Sequence, residues 1–171
     1  MAISSSCEER KMKKGKRFAA IVLSALMAAS CIGSVSASAF SKVEKRTYRG
    51  LVKTQKYSSK DACAIMGWMK LSSNVNYKAK GGVLCWTGGG VKQMKQQAKK
   101  ERTSWKSEKF QRRFIKKELS QAGANKRLKK TSSLSKKVSI VNAAIVRAPS
   151  RSQGKATDYA AHYYNHRKAL K

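Results

Sequence analysis

Charge sets the tightest limit on what this chain can fold into. Against 39 Lys and Arg stand 8 Asp and Glu, a formal net charge of +31. Like charges at that density repel one another and resist compaction, so the core must be small and the cations must lie outside it or meet counterions. Beyond the N-terminal region the acids are Glu44, Asp61, Glu101, Glu108, Glu118 and Asp158. Paired-carboxylate acid–base chemistry needs two acids at one site, whereas Glu108 and Glu118 read as ordinary helix partners for neighbouring Lys and Arg. The scarcity argues against a hydrolase. The expectation is a protein that is not an enzyme, with no catalytic residue, metal or cofactor.

The N-terminus carries an export pattern. Lys11, Lys13, Lys14, Lys16 and Arg17 form a basic block, Phe18 to Val35 is uncharged, and Ala37-Ser38-Ala39 precedes Phe40. Basic, apolar, then small residues is the layout of a secretory signal peptide. Residues 1–39 are therefore expected to be removed between Ala39 and Phe40, with Met12 as the native start. A retained membrane anchor is the alternative, and a lipoprotein at Cys31 lacks the usual bulky aliphatic before it. An exported location, outside the cell, follows. Cysteine use agrees: Cys63 and Cys85 remain as an even pair, which an oxidising compartment turns into a disulfide. A Cys63 nucleophile with His162 and Asp158 is the rival reading.

Within residues 40–90 the apolar run Ala62 to Met69 and the short run Val83 to Thr87 read as buried strands, with Ser72-Ser73-Asn74 as a turn. An antiparallel pair folded about Asn74 sets Cys63 opposite Cys85. Residues 91–123 switch to helix: Val91, Met94, Ala98 and Trp105 recur at helical spacing, Ser104 can cap a second helix, and Gly123 ends it. Residues 124–137 read as a basic linker. In 138–171, Val138 to Val146 reads as a strand, and 156–170 fits a helix face of Tyr159, Tyr163, His166 and Leu170 or a strand. The expected fold class is α+β, a small antiparallel β-sheet stapled by one disulfide with basic amphipathic helices. The C-terminal part is expected to pack on 40–90 as one domain.

Three patterns could carry chemistry. Thr87-Gly88-Gly89-Gly90 joins a predicted strand to a helix and could cradle a phosphate, but it lacks a Walker ending and reads more simply as a hinge. His162 and His166 share a helix face without the Glu of a metalloprotease motif. The strongest signal is a cationic stripe of Lys99, Lys100, Arg102, Lys106, Lys109, Arg112, Arg113, Lys116 and Lys117 around apolar anchors Trp105, Phe110 and Phe114. That is a membrane-surface pattern that would also neutralise phosphates.

The ending Gly154-Lys155-Ala156 with Tyr163-Tyr164-Asn165 is loosely similar to the end of lactococcin-type secreted bacteriocins, and no residue role follows from it. Together these observations predict a secreted cationic protein that binds anionic surfaces, membrane or wall polymer, and is antimicrobial in character. The expected partners are anionic lipid, a teichoic-acid-like wall polymer or extracellular nucleic acid. A nucleic-acid or wall-polymer binder without killing activity is the alternative, and an enzyme comes after both.

Overall fold

The computed structural model describes residues 39–171; the expected signal segment otherwise lies outside the described residues. The architecture is helical throughout, with no strand among the described residues. Helix α1 (Lys42–Arg49) runs into a π-helical turn at Gly50–Thr54 and is followed by α2 (Ser59–Ser73). After a loop come α3 (Gly88–Lys100), α4 (Glu108–Gln121), α5 (Ala124–Lys130) and α6 (Leu134–Val141). A second π-helical turn at Asn142–Val146 leads to α7 (Gln153–Asn165). Among the described residues, no helix is long and apolar enough to cross a membrane.

Helix α2 is the centre of the molecule, and its local sequence explains why it is a helix. Ser58 accepts a hydrogen bond from the Asp61 backbone N–H while the Asp61 carboxylate reaches back to Ser58, a reciprocal capping box. Asn74 closes the helix in the left-handed conformation at φ 55°. Between these caps, every residue from Asp61 to Met69 is buried. A helix that is apolar all round belongs inside a core.

Helix α7 crosses α2 closely because Gly67 has no side chain. A Cβ there would collide with the Ala156 carbonyl and sit 2.9 Å from the Ala160 Cβ. On another side, Trp68 donates its indole N–H to the Val138 carbonyl of α6 at 2.9 Å. A smaller apolar cluster of Met94, Ala98, Phe110 and Phe114 holds α3 against α4, with Trp86 and Trp105 packed on it.

These observations correct the expected α+β fold with its small β-sheet. The run Ala62 to Met69 is buried on all sides in a helix rather than on both faces of a strand; periodicity does not separate the two, and the Ser58/Asp61 caps decide for helix. Val138 to Val146 is likewise α6 and its π-helical turn. The expected linker 124–137 contains α5, which buries Ala124 and Leu128 four residues apart.

The Cys63–Cys85 disulfide is also corrected: both thiols are free. Cys63 is fully buried in the body of α2, whereas Cys85 lies near its far end, its thiol donating to the Ser72 carbonyl at 3.0 Å. Nine residues of helix separate Cys63 from Ser72, about 13 Å at the α-helical rise, and bridged cysteines need Cα atoms within roughly 7 Å.

A candidate active-site cleft

The loop from Val75 to Thr87 is irregular, and one buried side chain holds it. Gln111 of α4 accepts from the Val83 backbone N–H at 2.8 Å and donates to the carbonyls of Tyr77 and Trp105, each at 2.8 Å. Gly82, at φ 77°, leaves room for it: a Cβ there would sit 2.7 Å from the Gln111 carbonyl oxygen. Gln111 thereby ties both loops flanking α3 to α4.

That loop delivers Cys85, Trp86 and Thr87 to the rim of two adjoining depressions. One is a groove of about 460 Å³, whose walls include Thr87, Gln93 of α3, Phe114 and Glu118 of α4, and Arg147. The other is a wider cleft of about 850 Å³ bordered by Lys78, Lys80, Lys95, Lys106 and Trp105. Trp86 belongs to both and stands edge-on to Phe114, with ring centroids 5.3 Å apart. Glu118 also borders a third, smaller depression of about 210 Å³ with Gln93, Gln97 and Lys117.

The carboxylates separate by environment. Glu44 is buried; burial pushes its pKa up, but hydrogen bonds from Tyr163, Ser41 and Lys70 outweigh this and hold it below the ordinary value. Its partners are the Tyr163 hydroxyl at 2.6 Å and the Lys70 ammonium at 3.1 Å. Asp61 is buried against Lys137 at 2.6 Å. Glu108 sits between Arg46 and Arg112 and is lowered chiefly by its hydrogen bonds from Arg46. Glu101, lowered chiefly by Gln97, also pairs with Arg113. Asp158 is exposed on α7 and lines neither depression beside Trp86. Glu118 is half-buried, borders the groove and makes no ion pair among the described residues.

The residues singled out in the sequence are distributed along α3, α4 and the turn between them. Lys99, Lys100, Arg102, Lys106, Lys109, Arg113 and Lys117 are exposed. Arg112 is half-buried beside Glu108, and Lys116 borders a separate depression with Tyr57 and Lys137. Phe110 and Phe114 are buried in the smaller core, while Trp105 is half-buried with Lys95 and Lys106 ammonium groups 5.2 and 5.4 Å from its ring centroid. Thr87-Gly88-Gly89-Gly90 leads into α3 with an extended Thr87 and with Gly88 at φ 51°. His162 and His166 have ring centroids 4.7 Å apart, and among the described residues no group of three or more His, Cys, Asp or Glu could hold a metal. Burial pushes the Cys63 thiol up to about 12, which leaves it protonated and unsuited to nucleophilic attack.

Sequence reasoning passed over three features of the site. Glu118 was assigned an ion-pair role from helix spacing, Gln111 carries no pattern, and Lys78, Lys80 and Trp86 lie on a loop whose course depends on Gln111.

No curated protein and no solved structure matches this chain. The model of the family described as phage tail lysozyme matches residues 42–166. This overturns the expectation of a cationic, antimicrobial binding protein that is not an enzyme, and favours an enzyme that acts on the cell wall. Of the expected partners, a wall polymer is compatible with that match, whereas lipid, teichoic acid and nucleic acid gain nothing from it. With the match running across nearly all of the helical domain, the chain belongs to the phage tail lysozyme family.

Proposed function

We propose that the protein hydrolyses the glycan strands of cell-wall peptidoglycan, with Glu118 as general acid. The family match over residues 42–166 carries the reading, and the elimination of the other carboxylates points to Glu118. A general acid must stand in a cleft that admits substrate and have a proton to give. Glu44, Asp61, Glu101 and Glu108 are each committed to cations, and Asp158 borders neither depression beside Trp86.

In the proposed reaction the Glu118 carboxyl protonates the bridging glycosidic oxygen as the bond to the anomeric carbon breaks. Water adds to that carbon and its proton returns to Glu118. Among the described residues no second carboxylate borders this groove, so the two-acid arrangement of many glycosidases is replaced here by neutral groups, Thr87 and Gln93, that orient the water. Trp86 offers a planar face at the rim for a sugar ring. The wall lies outside the cytoplasm, and export through the signal-like segment 1–39 is part of the proposal; mass spectrometry of a culture supernatant would find the chain beginning at Phe40.

The test is release of reducing ends from purified wall sacculi. The wild-type chain should release them, and Glu118→Gln should lower the rate by about 100-fold or more, the usual worth of a general acid. Full activity in E118Q would remove Glu118 from this role. A wild type that releases no reducing ends at any pH from acidic to neutral would defeat the hydrolase reading itself.

A further inference from the structure

The wider cleft beside Trp86 differs in chemistry from the groove that holds Glu118. Among the described residues its borders carry four ammonium groups, from Lys78, Lys80, Lys95 and Lys106, and no carboxylate. Two of these, Lys95 and Lys106, gather on one indole ring, that of Trp105. Cations crowded around one cleft without an acid repel each other, and an anion placed among them relieves that repulsion. Exposed lysines scattered over a surface would not imply a ligand. Here they surround a concavity with two half-buried indoles in its wall, and that concavity shares Trp86 with the groove.

We propose that this cleft recognises the free carboxylates of the peptide stems carried by the glycan, so that stem charge positions the strand across Glu118. The proposal rests on peptidoglycan being the substrate. Alternating N-acetylated sugars carry no charge, while each uncrosslinked stem ends in a carboxylate and can hold others along its length. A strand whose sugars pass Trp86 in the groove projects its stems to one side, and the lysine cleft lies immediately beyond the same indole. The ammonium groups supply charge complementarity and Trp105 supplies an apolar wall for the stem's aliphatic part. Each exposed charge pair contributes only a few-fold in affinity, so several acting together amount to about 10-fold.

The experiment titrates the full chain with a soluble disaccharide tripeptide bearing free carboxylates, and in parallel with the same compound fully amidated, following tryptophan fluorescence. Mass spectrometry of the same samples shows whether the disaccharide's one glycosidic bond stays intact through the titration, so binding is read apart from activity. The acid form is expected to bind about 10-fold more tightly than the amide, with the difference shrinking as salt is raised. The triple variant K78Q/K80Q/K95Q, checked for an unchanged melting temperature, should bind both forms alike. Equal affinity of wild type for acid and amide overturns the proposal, as does inorganic polyphosphate binding more tightly than the acid form, which would assign the cleft to phosphate. A chain that prefers the acid form but releases no reducing ends from sacculi defeats the hydrolase reading alone; one that cleaves sacculi but ignores stem charge defeats this one alone.

Discussion

Replacing Gln111 by Ala should cost more than any surface change in this protein, because one amide organises two loops. The substitution removes three hydrogen bonds, to the Val83 N–H and the Tyr77 and Trp105 carbonyls. Each contributes on the order of 1 kcal/mol net. Val83 is fully buried, so its orphaned N–H adds a desolvation cost of roughly 1–3 kcal/mol, while the carbonyls are penalised less. The expected loss is about 4–6 kcal/mol. Urea unfolding followed by tryptophan fluorescence would read this as a midpoint lower by about 2–3 M at a typical slope for this size. Gln111→Glu sharpens the test. Its carboxylate still accepts from Val83 but faces two carbonyls that need a donor, so it should be worse than Ala at neutral pH and partly recover in acid, when protonation restores a donor. A Q111A midpoint within about 0.3 M of wild type, or a Q111E variant indifferent to pH, would refute the assignment of Gln111 as the pin of the loop. The same variant should slow wall hydrolysis, since the freed loop carries Trp86.

Lys137→Met strands the Asp61 carboxylate in the core and should cost about 3–5 kcal/mol, with Asp61→Asn in the same chain recovering most of it; thermal unfolding reads both. A thiol reagent should label Cys85 well before Cys63, which is fully buried with its pKa pushed up to about 12, and a reductant should leave the melting temperature unchanged, whereas a fall would reveal a bridge. Stability should drop on acidification in two stages. His162 is held below its ordinary 6.5 by burial first and by His166, so the unfolded chain takes up a proton there first and stability begins to fall below that value. Glu44, Glu101 and Glu108 lie below their ordinary 4.5 in the fold, so their contribution, present above 4.5, is lost as pH falls through the lower folded values. A melting temperature that rises on acidification would contradict this.

Local signals were legible where the chain decides them alone. The spacing of Val91, Met94 and Ala98 coincides with α3, and Gly123, at φ 64°, stands at the end of the α4 region. The second helix begins at Glu108 under the Ser107 cap rather than at Ser104, because Ser104 through Lys106 turn to present Trp105 to α3. The main error, strands for α2 and α6, arose where the apolar pattern has no polar face to break it. In a central helix packed by Ala156 and Ala160 on one side and by Val138 on another, periodicity cannot distinguish the two structures, and the local signal that does for α2 is the Ser58/Asp61 capping box. Gln111 illustrates the limit for the site: a neutral polar residue beside the cations of α4 gives no hint that it will be buried and bonded to three backbone groups.

Charge, which first argued against catalysis, also bears on where the proposed catalysis would take place. Lys137 is the one Lys or Arg that is buried among the described residues, and it is matched by Asp61; the other buried acid, Glu44, is matched by Lys70. Glu108 joins Arg46 of α1 to its own helix, and Glu101 joins Arg113 across the turn between α3 and α4. The scarce acids thus fasten helices together, which is how so basic a chain closes into a core at all. Among the described residues two acids, Glu118 and Asp158, make no ion pair. Asp158 is exposed on α7, whereas Glu118 is half-buried and borders the groove beside Trp86. Position in a cleft, rather than freedom from an ion pair alone, is what separates them and makes Glu118 the carboxylate to test as general acid.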